Sequence, residues 1–263
     1  MSLTEVPPRG PLLAIAIFGE SASVALHRGD SPGALALAQE SVGQAHSARI
    51  LPLVSRVLEE SGCTPAELAG VAFEAGPGAF TSLRVACAMA QGFGLALGIP
   101  VCPVGSLETA AVSLALMTAR DGTQASGTQR VFVANDARMG ECYFGMFEVR
   151  AQPSSGRASV SALLDAGCAG PGEVAAALER AAARFSGLAF VGDAQERHEA
   201  LAERVAGLGL RPVTARADAA AIAMIAAGPD GAWIDPADAA PRYVREKVAL
   251  DVDEQRALRA ARG

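Results

Sequence analysis

Aromatic residues are scarce in this chain: nine Phe, two Tyr and one Trp among 263 residues. A core with few large rings is filled by small side chains, and the abundance of alanine favours closely packed helices. Histidine is rarer still. His27, His46 and His198 are the full set, and none stands three, four or five residues from another. No helix therefore carries a paired-histidine metal motif; a metal would have to gather distant ligands, and each histidine reads as a solvated or core side chain. The five cysteines (Cys63, Cys87, Cys102, Cys142 and Cys168) form no CxxC pair. Their odd number and apolar neighbours mark buried small hydrophobes of a reducing compartment. Glu141 beside Cys142 would raise a thiol pKa, which disfavours a cysteine nucleophile. A GxxxxGK[ST] phosphate loop and a GxSxG nucleophile elbow are both missing.

Positive charge is also in deficit. A net charge of −6 argues against a chain that grips nucleic acid unaided, though a basic partner could do the holding. The first ten residues lack the charged-then-apolar layout of a signal peptide, and the apolar run over residues 12–18 is too short to span a bilayer. These features lead to the expectation of a soluble cytoplasmic protein with no membrane partner.

What is present is an α/β pattern. Residues 12–18 (LLAIAIF) and 22–27 (ASVALH) read as two strands around a tight turn, with a third over 34–40. Over 45–60, Ile50, Val54, Val57 and Leu58 fall on one helical face, and Pro52 opens or bends that helix. A short strand over 71–74 leads into Gly-Pro-Gly, a helix over 80–97, a strand over 101–104 and an apolar helix over 107–119. The polar stretch 121–129 (DGTQASGTQ) reads as a linker. Beyond it come a strand pair over 131–135 and 142–149, a helix over 172–185, a strand over 188–191, and helices over 195–206 and 218–227. A strand pair followed by helix–strand alternation on both sides of the linker predicts two related lobes, each a mixed sheet flanked by helices. The boundaries are 11–120 and 131–250, with tails at 1–10 and 251–263.

The stretch EAGPGAFTSLRVACAMAQGFGLALG, beginning at Glu74, carries the most information. Gly76 and Gly78 allow close backbone approach or a positive φ, Pro77 stiffens the turn, and Thr81 or Ser82 could cap the following helix. With no lysine nearby, a structural turn is favoured over a phosphate loop. In that helix Leu83, Ala86, Ala90, Phe93 and Leu97 mark one face, Val85, Met89 and Ala96 broaden it, and Arg84 and Gln91 are its clearly polar side chains. A helix apolar nearly all round must be covered on more than one side. It is either a central core helix or one that meets a partner helix, with Gly92 and Gly94 allowing close approach.

Four blocks in order resemble the TsaB (YeaZ) family: AGPGAFTSLRVACAMAQGFGLALGIP, ALAQESVGQAHSARILPLVSRVL, NDARMGECYFGMFE and APRYVREKVA. The resemblance implies two RNase H-like lobes of the actin, sugar-kinase and chaperone ATPase superfamily. It implies a non-catalytic dimerisation subunit of the machinery that makes threonylcarbamoyladenosine at position 37 of tRNAs. Such a subunit pairs with a TsaD-type catalytic paralogue, and the complex recruits a TsaE-type ATPase; tRNA is met only through the complex. A homodimer is expected when the chain is alone. No cofactor of its own is expected, with ATP entering only in the assembled complex. Implied interface residues are His46, Ile50, Val54, Val57, Arg84, Met89, Ala90 and Phe93. The motif loops place Gly76, Pro77, Gly78, Thr81, Asp136 and Arg138.

One departure stands out. Where family members often read LAIDTSTxxxSVAL, this chain has Ala16 at the aspartate position and Ile17, Phe18 and Gly19 across the hydroxyl-rich turn. Losing that carboxylate removes a magnesium ligand. Asp136 reads as a ligand remnant or as a turn-forming Asp after a strand. Position 50 is Ile, so the HxxxH pair of the catalytic paralogue is missing after His46. The alternatives are a nucleotide-binding phosphotransferase or ATPase of the same superfamily, which Ala16 opposes, and a metallopeptidase, which the histidine count opposes.

Overall fold

The computed structural model describes residues 7–18, 21–29, 35–41, 46–120, 127–215 and 218–245. Most of the expected linker, the segment after 245 and the first six residues lie outside that set.

The first lobe contains β1 (Leu12–Phe18), β2 (Ser21–His27), β3 (Leu35–Ser41), α1 (His46–Ser61), β4 (Gly70–Gly76), α2 (Phe80–Leu97), β5 (Val101–Gly105) and α3 (Ser106–Arg120). The second contains β6 (Gln129–Arg138), β7 (Glu141–Gln152), β8 (Arg157–Ala169), α4 (Pro171–Arg184), β9 (Leu188–Val191), α5 (Glu199–Gly207), β10 (Pro212–Val213) and α6 (Ala219–Ala227). The sheets run β3-β2-β1-β4-β5 and β10-β9-β6-β7-β8. Read from the hairpin outward, these are one topology used twice. In each, the first three strands are antiparallel and the last two join in parallel beside the first.

The chain stacks in five layers. Along β1, Leu13, Ile15 and Ile17 face an outer core shared with α1 and α2, while Leu12, Ala14 and Ala16 face the centre of the molecule. A strand covered on both faces reads as an unbroken apolar run, which is why LLAIAIF lacks polar alternation. The middle layer is α3 and α6, sandwiched between the inner faces of both sheets. All nine residues of α6, AAAIAMIAA, are buried, so its small side chains let two sheets approach one helix. The outer face of the second sheet packs on α4 and α5.

These middle helices are exchanged between lobes. The first-lobe helix α3 packs on β6 and β7, whereas the second-lobe helix α6 packs on β1 and β2. Asp218 caps α6 through Ala221 N at 2.7 Å, and Ser23 of β2 accepts Ala219 N at 3.0 Å. Past α6 the chain returns to the first lobe. Trp233 is fully buried, and Ile234 bonds Val101 in both directions.

Two expectations differ from the structure. The 13-residue strand β8 is absent from the sequence reading. The helix expected over 195–206 breaks into a 3-10 turn, Ala194–Glu196, and α5, with His198 at the N-cap position between them. By length and composition α2 could cross a bilayer, but one face is built into the first core and a third of the helix is buried.

Candidate functional site

Between the lobes lies a cleft of 650 Å³, whose walls are the ends of β1, β4, β6 and β9 with the loops that follow them. On the first wall, Gly76 has φ +108°, and a Cβ there would meet the Arg242 carbonyl oxygen and Leu83 at 2.8 Å. Glycine is required at that position. Gly78 carries no such demand, and the Gly76–Pro77 peptide is cis. The cap expected from Thr81 or Ser82 does not form. Ala79 is the N-cap residue, its carbonyl accepting Leu83 N, while Thr81 is exposed and Ser82 buried within the helix. The helix begins two residues earlier than a hydroxyl at 81 could cap.

Glu74 closes the back of this wall. Its carboxyl accepts Ile17 N at 3.0 Å and the Ser106 hydroxyl at 2.8 Å, and the residue is 1% exposed. Burial lifts its pKa to about 7, against the pull of those two hydrogen bonds. Ile17 and Phe18 line the cleft beside it, so the hairpin side of the wall is apolar. Ala16 does not face the cleft; it is buried in the central core.

The second wall is charged. Asp193 accepts Asp136 N at 2.8 Å. The Asp136 carboxylate accepts Arg138 N at 3.1 Å and lies 3.3 Å from both Arg197 Nε and His198 Nε2. Its side chain is only 8% exposed, so its own chain already engages it on both oxygens. Arg138 and Met139 hold left-handed φ values of 64° and 56° in the β6–β7 turn. Gly192, φ +130°, is forced to be glycine because a Cβ would collide with the Ala134 carbonyl.

Among the described residues the hairpin side of the first wall is Ile17 and Phe18, and on the second wall the Asp136 carboxylate is held by arginine and histidine. Among the described residues no three His, Cys, Asp or Glu side chains gather as a metal site. Burial, with Asp136 nearby, pushes the Cys142 thiol up to about 11, far from a thiolate nucleophile.

The expected interface residues divide. Ile50, Val54, Val57 and Ala90 are corrected to core: each is at most 3% exposed in the cluster beneath α1 and α2. The helical periodicity that singled them out is the mark of the face a helix turns to its own sheet. Met89 and Phe93 are half-buried against the same core, and Arg84 is exposed. His46 opens α1, with its side chain outside the described residues. The outward side of α2 is instead Phe80, Thr81, Arg84, Ala88, Gly92, Leu95 and Ala96, with Leu95 61% exposed.

Sequence reasoning also missed Glu74, Ser106, Arg197 and His198 as site residues. For Glu74 a signal existed: a lone carboxylate ends the otherwise apolar strand GVAFEAG. For His198, 62 residues from Asp136, spacing offered none.

A family model described as "TsaD: tRNA N6-adenosine threonylcarbamoyltransferase" matches residues 38–221. Among curated relatives, "tRNA threonylcarbamoyladenosine biosynthesis protein TsaB" of Escherichia coli K12 is 34% identical over 52% of this chain and 54% of its own length. The protein of the same name from Haemophilus influenzae is 37% identical over 51% and 52%. The chain thus spans about half the length of the curated relatives it matches. Among solved structures, one described as "YeaZ from Pseudomonas aeruginosa" aligns with a TM-score of 0.66 at 25% identity, covering 89% of this chain and 99% of that one. An uncharacterized protein "with similarity to peptidase YEAZ", from the same species, aligns at 0.69 and 27% identity over 90% and 100%. The chain belongs to the TsaD family as that model defines it and, within it, to the TsaB/YeaZ family.

Proposed function

We propose that this chain is a non-catalytic subunit of the machinery for tRNA threonylcarbamoyladenosine biosynthesis, pairing through the outer face of α2 with a TsaD-type paralogue. The observation that carries this reading is the composition of that face. Over five helical turns it exposes Phe80, Ala88, Gly92, Leu95 and Ala96, with Arg84 as its one charge. A strip of this length with a single charge is costly in water, and its small residues let a second helix approach closely. The cleft supports the accessory role, since the carboxylates of Glu74, Asp136 and Asp193 are tied to the chain's own donors. On this reading the chain needs no cofactor of its own and works in the cytoplasm, where the pair recruits a TsaE-type ATPase and meets tRNA. Alone, it forms a homodimer through the same face.

The test mixes the chain with the TsaD-type paralogue of the same organism and follows mass by light scattering after size exclusion. A one-to-one complex should replace the homodimer. Leu95→Glu should abolish pairing while changing stability by no more than about 0.5 kcal/mol. Ala90→Glu should instead unfold the chain, because it buries a carboxylate in the core. No complex, even with ATP and the TsaE-type ATPase present, would refute the reading.

A further inference from the structure

We propose that residues 242–245 form a strap that couples the exposed end of α2 to the charged wall of the cleft. This inference rests on the pairing face argued above and assigns it a means of regulation.

The strap touches three separate places within four residues. Arg242 donates its backbone N–H to Ala75 O at 2.7 Å and its guanidinium to Pro103 O at 3.2 Å, which pins it to the first lobe. Next to it, the Tyr243 ring stacks on Phe80 with centroids 4.9 Å apart, and its hydroxyl accepts Arg84 Nε at 3.3 Å. The Arg84 guanidinium lies 3.8 Å above the Phe80 ring. Arg245 then crosses to the second lobe. It donates to Ala137 O at 2.9 Å and Arg138 O at 3.1 Å, and pairs with Glu141 at 2.7 Å.

The middle contact is open to a partner, whereas the last is not. Tyr243 is 49% exposed and Phe80 40%, at the end of the outward α2 face, whereas the Arg245 side chain is 14% exposed. Three peptide steps span at most about 11 Å, so the contacts of Arg242, Tyr243 and Arg245 are held together by one short segment. The turn that Arg245 holds is one that needs holding. Arg138 and Met139 sit in the left-handed region, which non-glycine residues adopt at a cost unless their surroundings impose it. The same turn carries the Asp136 network. A partner that clamps Phe80 and Tyr243 therefore tightens Arg245 on the turn and sets the charged wall.

Hydrogen exchange read by mass spectrometry on the full chain, alone and with the paralogue, tests this. In the chain alone, Tyr243→Ala should accelerate exchange of amides 137–140 about tenfold, matching Arg245→Ala, which cuts the far end of the strap. Phe80→Ala removes the stack from its other side and should do the same, while Tyr243→Phe should leave exchange at 137–140 as in wild type. Changes confined to residues 80–84 in Tyr243→Ala and Phe80→Ala would overturn the proposal. With paralogue bound, exchange at 137–140 should slow in wild type and not in Arg245→Ala; a complex that leaves those amides unaltered would also overturn it. If no complex forms, the pairing reading fails, and the variants of the chain alone still decide whether the strap couples its two ends.

Discussion

The two walls of the cleft use one backbone device in opposite surroundings. Ile15 pairs with Phe73 in the first sheet as Val133 pairs with Val191 in the second. Just beyond each pair, a carboxylate from the parallel strand accepts an N–H at the end of the hairpin strand: Glu74 takes Ile17 N, and Asp193 takes Asp136 N. In the first lobe the carboxylate is sealed behind Ile17 and Phe18. In the second it borders Asp136, Arg197 and His198. Repeating the topology repeated the backbone bond, while the hairpin side chains decided whether the wall carries charge. The repeated topology therefore fixes where a ligand could sit without supplying the groups to hold it.

Burying a charge behind the first wall is the severest way to break this comparison. Ala16→Asp should cost about 3–5 kcal/mol in urea unfolding, because position 16 faces the central core, where a carboxylate finds no water. A variant as stable as wild type would show that the central core tolerates a carboxylate at position 16. Next in size is the pH response of Glu74. The folded chain holds that proton up to about 7 and the unfolded chain releases it near 4.5, so between these values the folded state binds more protons. Its contribution is complete below pH 4.5 and falls away as pH rises to 7, by about 3 kcal/mol in all. Urea midpoints across that window should decline in wild type, and Glu74→Gln should remove this part of the decline; parallel curves would mean that Glu74 is solvated. The smallest effect belongs to Asp193→Ala. It leaves Asp136 N without its acceptor in a cleft that water can enter, for a loss of about 1–2 kcal/mol. A loss as large as that from Glu74→Ala would show the second wall to be as sealed as the first.

Much of the architecture could be read from residue order, because strands buried on both faces and helices between sheets leave long apolar runs. Strand β8 escaped since RASVSALLDAGCA contains little that favours a strand; its ladder to β7 along the sheet edge makes it one. Four of the expected interface residues proved to be core for a related reason. Apolar periodicity in α1 and α2 reports the side facing the molecule's own sheet, so Ile50, Val54, Val57 and Ala90 satisfied the pattern by being core. The outward face of α2 is written in Ala88, Gly92 and Leu95, whose helical spacing gives no contrast against an apolar background. On the charged wall, Asp136 and Arg138 came from a local motif, but His198 and Arg197 arrive from a distant turn. Only folding brings these groups together.

The exchange of α3 and α6 has a consequence for how the chain is made. While a ribosome is still producing the second lobe, the inner face of β1 and β2 has no cover, because α6 is the last helix before the strap. The first sheet must wait, exposed, until Ala219–Ala227 has been made. A cut within the linker should therefore yield two halves that are each insoluble alone and that rebuild the molecule when they are synthesised in the same cell.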